Sequence, residues 1–173
     1  MWLVLFVATL HASATQFVPL SVEQLVEYSQ IVLRGTVVSK TCQRDAEGRI
    51  FTKVELHVIE VWKGPVTNHC TIVQSGGTVG DECALVPGQA VYSVGEEVVV
   101  FLALNERGEG VTLGLAHGKF KVWKDEAGEQ TVQNIFHGRA PAGEKAGFLP
   151  SAGQPKPRLP LAELKRQVQG TRP

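Results

Sequence analysis

The stretch from Ile50 to Trp62, IFTKVELHVIEVW, decides the fold. From Lys53 to Val58, polar and apolar residues alternate, which sets Val54, Leu56 and Val58 on one face of a strand. The phase then slips. Val58 and Ile59 are adjacent apolar residues, and Ile59-Glu60-Val61 continues on the other parity. A one-residue slip inside a strand marks a β-bulge, which bends the strand. A long strand bent in this way lets a small sheet curl into a barrel.

Working outward, Ile31 to Lys40 is rich in Val, Ile and Thr and reads as a strand. Turns follow at Asp45–Gly48 and at Lys63-Gly64-Pro65. Cys70 to Gln74 is a short strand. Residues 75–95 read as a loop holding Gly76, Gly77, Gly80, Pro87, Gly88 and Gly95. Loops of this length are uncommon and are often functional. Glu97 to Leu104 is a buried strand, and Val98 to Leu104 is uninterrupted apolar sequence. Val111–Leu115, Lys119–Trp123 and Thr131–Ile135 supply further strands, with turns at Asn105–Gly110 and Asp125–Gly128. Before all of these, Ser21 caps a short helix to Gln30 with a stripe of Val22, Leu25, Val26 and Tyr28. From Arg139 to Pro160, Pro and Gly dominate, and Leu161–Val168 reads as a terminal helix.

The expected architecture is therefore all-β. A small OB-like antiparallel β-barrel carries a short N-terminal helix and a C-terminal tail ending in a small helix. There is no βαβ alternation, and barrel closure removes unpaired strand edges.

Met1 to Leu10 is almost wholly apolar and is followed by Ala12-Ser13-Ala14. This pattern reads as a secretory signal cleaved after Ala14, although no Lys or Arg precedes the run. The expected organisation is a signal peptide at 1–14, a barrel domain at 15–138, and a Pro/Gly-rich basic tail with its helix at 139–173. The expected location is secreted or periplasmic. No later segment approaches the roughly 20 apolar residues that span a bilayer, so no transmembrane anchor is expected after cleavage.

Lys plus Arg and Asp plus Glu number 17 each, so the net charge is zero, but the charges are unevenly placed. Residues 15–138 hold 10 basic and 15 acidic side chains, and residues 139–173 hold 7 and 2. Phosphate-binding surfaces need the opposite sign on the barrel. Nucleic acid is not an expected partner. An extracellular or envelope protein is.

Cys42, Cys70 and Cys83 lack the spacing of a zinc or redox site. Outside the cytoplasm they predict one disulfide and one spare thiol. Hairpin register brings Cys42 and Cys83 to the same end of the sheet, which favours a Cys42–Cys83 bridge. His57 falls on the polar parity of its strand and reads as solvated. His69 and Cys70 are adjacent on a strand and point to opposite faces, a poor arrangement for a nucleophile pair. Gly114 to Lys119 lacks the spacing of a phosphate-binding loop and reads as a tight turn. No catalytic set, metal set or cofactor is expected. The candidate ligand-binding loop is the Gly-rich connection, with Gly76, Gly77, Asp81, Glu82 and Tyr92. Asp81-Glu82 is its only conceivable cation handle, and two carboxylates are thin evidence for one.

The order of these segments, SQIVLRGTVVS, RIFTKVELHVIEVWKG, VGEEVVVFL and GLAHGKFKV, resembles that of uncharacterised secreted bacterial proteins. The first half is also similar to the OB-fold barrel of the tissue inhibitor of metalloproteinase and netrin modules. That likeness spans roughly Leu20 to Trp123 and rests on turns and strands. Inhibitors of that kind hold a protease zinc through an N-terminal cysteine. Here the expected mature terminus is Thr15-Gln16, and the next cysteine is Cys42, so that mechanism does not transfer. The sequence favours a secreted, non-catalytic binding module. A protease inhibitor is the first alternative, and an enzyme with a scattered active site is the second.

Overall fold

The computed structural model describes residues 20–136 and 158–170. The expected signal peptide and residues 139–157 of the expected tail lie outside them, as does His137.

Helix α1 (Val22–Tyr28) begins as expected. Gln24 N–H donates to Ser21 Oγ, and Ser21 N–H donates to the Gln24 side chain, a reciprocal cap. The strands follow as β1 (Ile31–Arg44), β2 (Ile50–Lys63), β3 (His69–Ser75), β4 (Gly77–Val79), β5 (Glu82–Ala84), β6 (Glu97–Leu104), β7 (Gly110–Thr112), β8 (Lys119–Lys124), β9 (Gln130–Gln133) and β10 (Leu159–Pro160). Helix α2 (Leu161–Gly170) closes the described chain.

The ring runs β1–β2–β3–β7–β6, and β6 pairs back onto β1, so a five-stranded barrel is closed. Its ladders are antiparallel with one exception: β3 and β7 meet in parallel at Ile72 and Gly110. Strands β8, β9 and β10 extend from β6 as an antiparallel flap.

The bulge expected in β2 is present. Gly35 pairs with Val58 and Arg34 with Glu60, so Ile59 is skipped. Skipping one residue reverses the faces of the strand. Before the bulge, Val54, Leu56 and Val58 face the barrel interior with Leu33, Ile72 and Leu102. After it, Trp62 is buried in a second core with both helices, where Leu25, Val26, Leu164 and Val168 meet Phe101 and Phe120. Strand β6 serves both cores at once. Val98, Val100 and Leu102 point into the barrel, while Val99 and Phe101 point to the helices. A strand buried on both faces explains the unbroken apolar run from Val98. The described end of the chain is thus packed on the barrel, and Lys165 of α2 pairs with Glu60 of β2.

Three turns share one design. In each, an Asp or Asn (Asp45, Asn105, Asp125) accepts from the amide four residues on, and a Gly three residues on has positive φ. The shared pattern is Asp/Asn-x-x-Gly, and it sets the strand register on both sides.

Candidate functional site

The Gly-rich connection is more ordered than a plain loop. It contains the β4–β5 hairpin, which lies against β1 and β2. Gly77 permits this approach: its φ is +137°, and a Cβ there would sit 2.6 Å from Thr52 Oγ1 and 2.7 Å from Cys42 Sγ. Thr52 Oγ1 donates to the Gly76 carbonyl at 2.7 Å. Asp81 and Glu82 lie exposed at the hairpin tip, where Glu82 pairs with Arg44. Among the described residues, no three His, Cys, Asp or Glu side chains gather as a metal cluster.

Tyr92, read from sequence as a ligand contact, is a core residue. It is 1% exposed, and its hydroxyl lies 2.7 Å from Thr112 Oγ1. The Lys119 ammonium sits over its ring at 4.8 Å and pairs with Glu96. These contacts tether the C-terminal end of the connection to β7 and β8.

The predicted Cys42–Cys83 bridge is not present. Cys42, Cys70 and Cys83 are all free. Cys42 Sγ lies 3.3 Å from Thr52 Oγ1, whereas Cys83 is exposed on β5, opposite Thr78 of β4. Strand β4 therefore stands between them. The Thr52 hydroxyl, turning its one proton from the Gly76 carbonyl to the thiolate, and the Thr78 amide hold the Cys42 thiol below the usual thiol range. Burial pushes Cys70 up to about 11, with the Glu55 charge adding to it. His69 is exposed and Cys70 buried, on opposite faces as expected. His117 is structural: its Nδ1 accepts from the Leu20 amide at 3.2 Å, and its ring packs on Phe136.

What remains is the segment from Ala84 to Val91, which buries Ala90 and leaves Leu85 86% exposed and Val91 71% exposed. Among the clefts that it walls are two that share Gln89. The first, about 360 Å³, has Phe51, Val73, Val86, Val111 and Leu115 as its apolar lining. Asp45, Asn105, Arg107 and Glu109, from two of the hairpin turns, form its polar rim. The second, about 400 Å³, lies between Gln89–Val91 and the β8–β9 surface, beside Lys119, Lys121 and Trp123. Trp123 carries two cations against its ring, Lys121 at 4.2 Å and Arg158 at 4.3 Å.

The first cleft holds a backbone outlier. Leu115 has φ of +61°, and it is the one non-glycine residue in that region among the described residues. A leucine held there costs about 1–2 kcal/mol. The turn enforces it, with Gly114 at φ +58° and the His117 amide bonded to the Gly114 carbonyl. The Ala116 amide also bonds to the Gly88 carbonyl, which ties this turn to the connection. Sequence reading missed Leu115, because leucine carries no signal for positive φ.

No protein-family model matches the chain, and no curated protein is similar to it. The likeness to inhibitor and netrin modules has no support beyond the five-stranded barrel.

Proposed function

We propose that the protein is an exported, non-catalytic binding module. Its ligand is an extended polypeptide segment with apolar side chains, presented by an extracellular or envelope protein. The segment lies in the cleft between the Asp45 and Asn105 turns, over Val73 and Val111 and against Leu115. The observation that carries this reading is Leu115 itself. Strained residues persist where surrounding structure over-determines them, and they gather at ligand clamps. Here the strain holds an apolar side chain, 39% exposed, at the edge of an apolar cleft. Leu85 and Val111 add exposed apolar surface nearby, and clustered apolar surface marks interaction sites. The polar rim supplies partners for the backbone of a bound chain. The apolar N-terminal run and its Ala-x-Ala step support export.

Selection from a displayed random peptide library tests the reading. Wild-type protein is expected to enrich peptides with apolar residues at alternate positions. Leu115→Asp and Val111→Asp are expected to lose them while keeping native circular dichroism. No enrichment, or enrichment unchanged by both substitutions, overturns the proposal.

A further inference from the structure

His57 and His69 fall directly opposite each other on the consecutive strands β2 and β3. The type of pairing at this position follows from the ladder. Val58 N–H donates to the Asn68 carbonyl, and Gly76 N–H donates to the Ile50 carbonyl. Hydrogen-bonded pairs therefore fall at even positions of β2. His57 and His69 occupy the alternate, non-hydrogen-bonded type of pair, in which Cα atoms approach to about 4.5 Å and side chains are closest. Both rings are exposed, with centroids 5.8 Å apart and planes at 61°.

We propose that these two imidazoles form a cross-strand chelate for a late first-row divalent metal ion, with copper bound tightest and nickel or zinc below it. The distance suits the chemistry. With metal–nitrogen bonds near 2.0–2.1 Å, two rings on one tetrahedral ion have centroids about 5 Å apart. Small rotations about exposed side-chain bonds close the difference. Imidazole donors select these ions, and the affinity order follows the general trend for nitrogen sites. Calcium and magnesium require oxygen donors. Glu55, two residues before His57 on the same strand, is engaged by Thr71 Oγ1 at 2.9 Å and by Lys53. Water fills the remaining coordination positions, since no third protein ligand joins the pair among the described residues. The site is independent of the proposed peptide cleft, which meets these strands at their other end, near Phe51 and Ser75.

The test uses the full chain with zinc and cupric ions alone. Zinc is expected to bind one-to-one and to shift the ring resonances of His57 and His69 together. His57→Ala and His69→Ala are each expected to weaken zinc binding at least tenfold, to the same residual level as the double variant, because one imidazole cannot chelate. Both sites are exposed, so native circular dichroism is expected throughout. Zinc should raise the Tm of the wild type but of neither variant. Unchanged affinity in both variants, or ring shifts at only one histidine, overturns the proposal. So does absence of binding at millimolar zinc.

Discussion

The hydroxyls of Tyr92 and Thr112 lie 2.7 Å apart in the barrel interior, where both residues are buried. One belongs to the Gly-rich connection and the other to β7, so this bond fixes where the connection crosses the barrel. Its outer part, from Ala84 to Val91 with Ala90 buried, is thereby held between the β4–β5 hairpin and the Tyr92 anchor. The clefts on either side of Gln89 take their shape from that restraint.

Removal of the anchor should be measurable. Tyr92→Phe keeps the ring and leaves the Thr112 hydroxyl without its partner. A buried group stranded in this way costs about 1–3 kcal/mol. Tyr92→Ala also opens a cavity and should cost about 3–5 kcal/mol, by analogy with other buried aromatics. Urea unfolding of the two variants measures both. Losses within error of zero would mean that the connection holds its place without Tyr92.

Leu115 leads to an unusual stability prediction. Replacing a leucine with glycine normally destabilises. At φ of +61° the change relieves about 1–2 kcal/mol of backbone strain, while glycine adds roughly 0.5–1 kcal/mol of unfolded-state entropy. Leu115→Gly is therefore expected to leave stability unchanged or to raise it by up to about 1 kcal/mol. Leu115→Ala keeps the strain and gains nothing. A thermal unfolding comparison of the two separates strain from packing. If Leu115→Gly is the less stable of the pair, the turn does not hold the strain attributed to it.

Much of the fold was legible because its signals are local. The run from Val98 to Leu104 announces a strand buried on both faces. The adjacent Val58 and Ile59 announce the bulge, and Asp45, Asn105 and Asp125 each open a turn closed by a glycine. Strands β4, β5 and β10 were not legible, because two or three residues show no period. The parallel contact of Ile72 with Gly110 joins segments far apart in sequence, and nothing local encodes it. The candidate cleft has the same character, since Phe51, Val73, Val86 and the Val111–Leu115 stretch come from four separate segments. Tyr92 was misread because its Gly-rich surroundings look like surface, whereas its ring fills the barrel end. The Cys42–Cys83 expectation failed on the intervening β4, which that reading did not contain.

The three thiols should differ in reactivity, because the thiolate is the reactive form. Cys70 is buried and pushed up to about 11, so it should resist alkylation in the native protein at pH 8. Cys42 and Cys83 should both react. The pH at which Cys42 reaches half its maximal rate should lie below that of an unperturbed thiol. Thr52→Val removes the hydroxyl beside Cys42 Sγ and should move that profile upward. Peptide mass mapping after timed iodoacetamide treatment follows each cysteine separately. A Cys70 that alkylates as fast as Cys83 would contradict the buried placement.

Acid should loosen the contact between α2 and the barrel. Burial raises the Glu60 carboxyl, but the Lys165 bond, the Trp62 indole and the Lys165 and Arg34 charges outweigh it, so its folded pKa lies below 4.5. A carboxyl depressed by folding stabilises the native state above its unfolded pKa and loses that contribution as pH falls through the folded value. The window therefore opens near 4.5 and extends downward. Lys165 and Glu60 side chains are each 36% exposed, so the pair contributes no more than about 1 kcal/mol. Lys165→Met should be less stable than wild type at neutral pH by about that amount. The difference should shrink toward zero once Glu60 is protonated in both proteins. Urea titrations at neutral pH and at successive pH values below 4.5 follow the gap into the window. A gap of the same size throughout would mean that the charge of Glu60 is not what Lys165 answers.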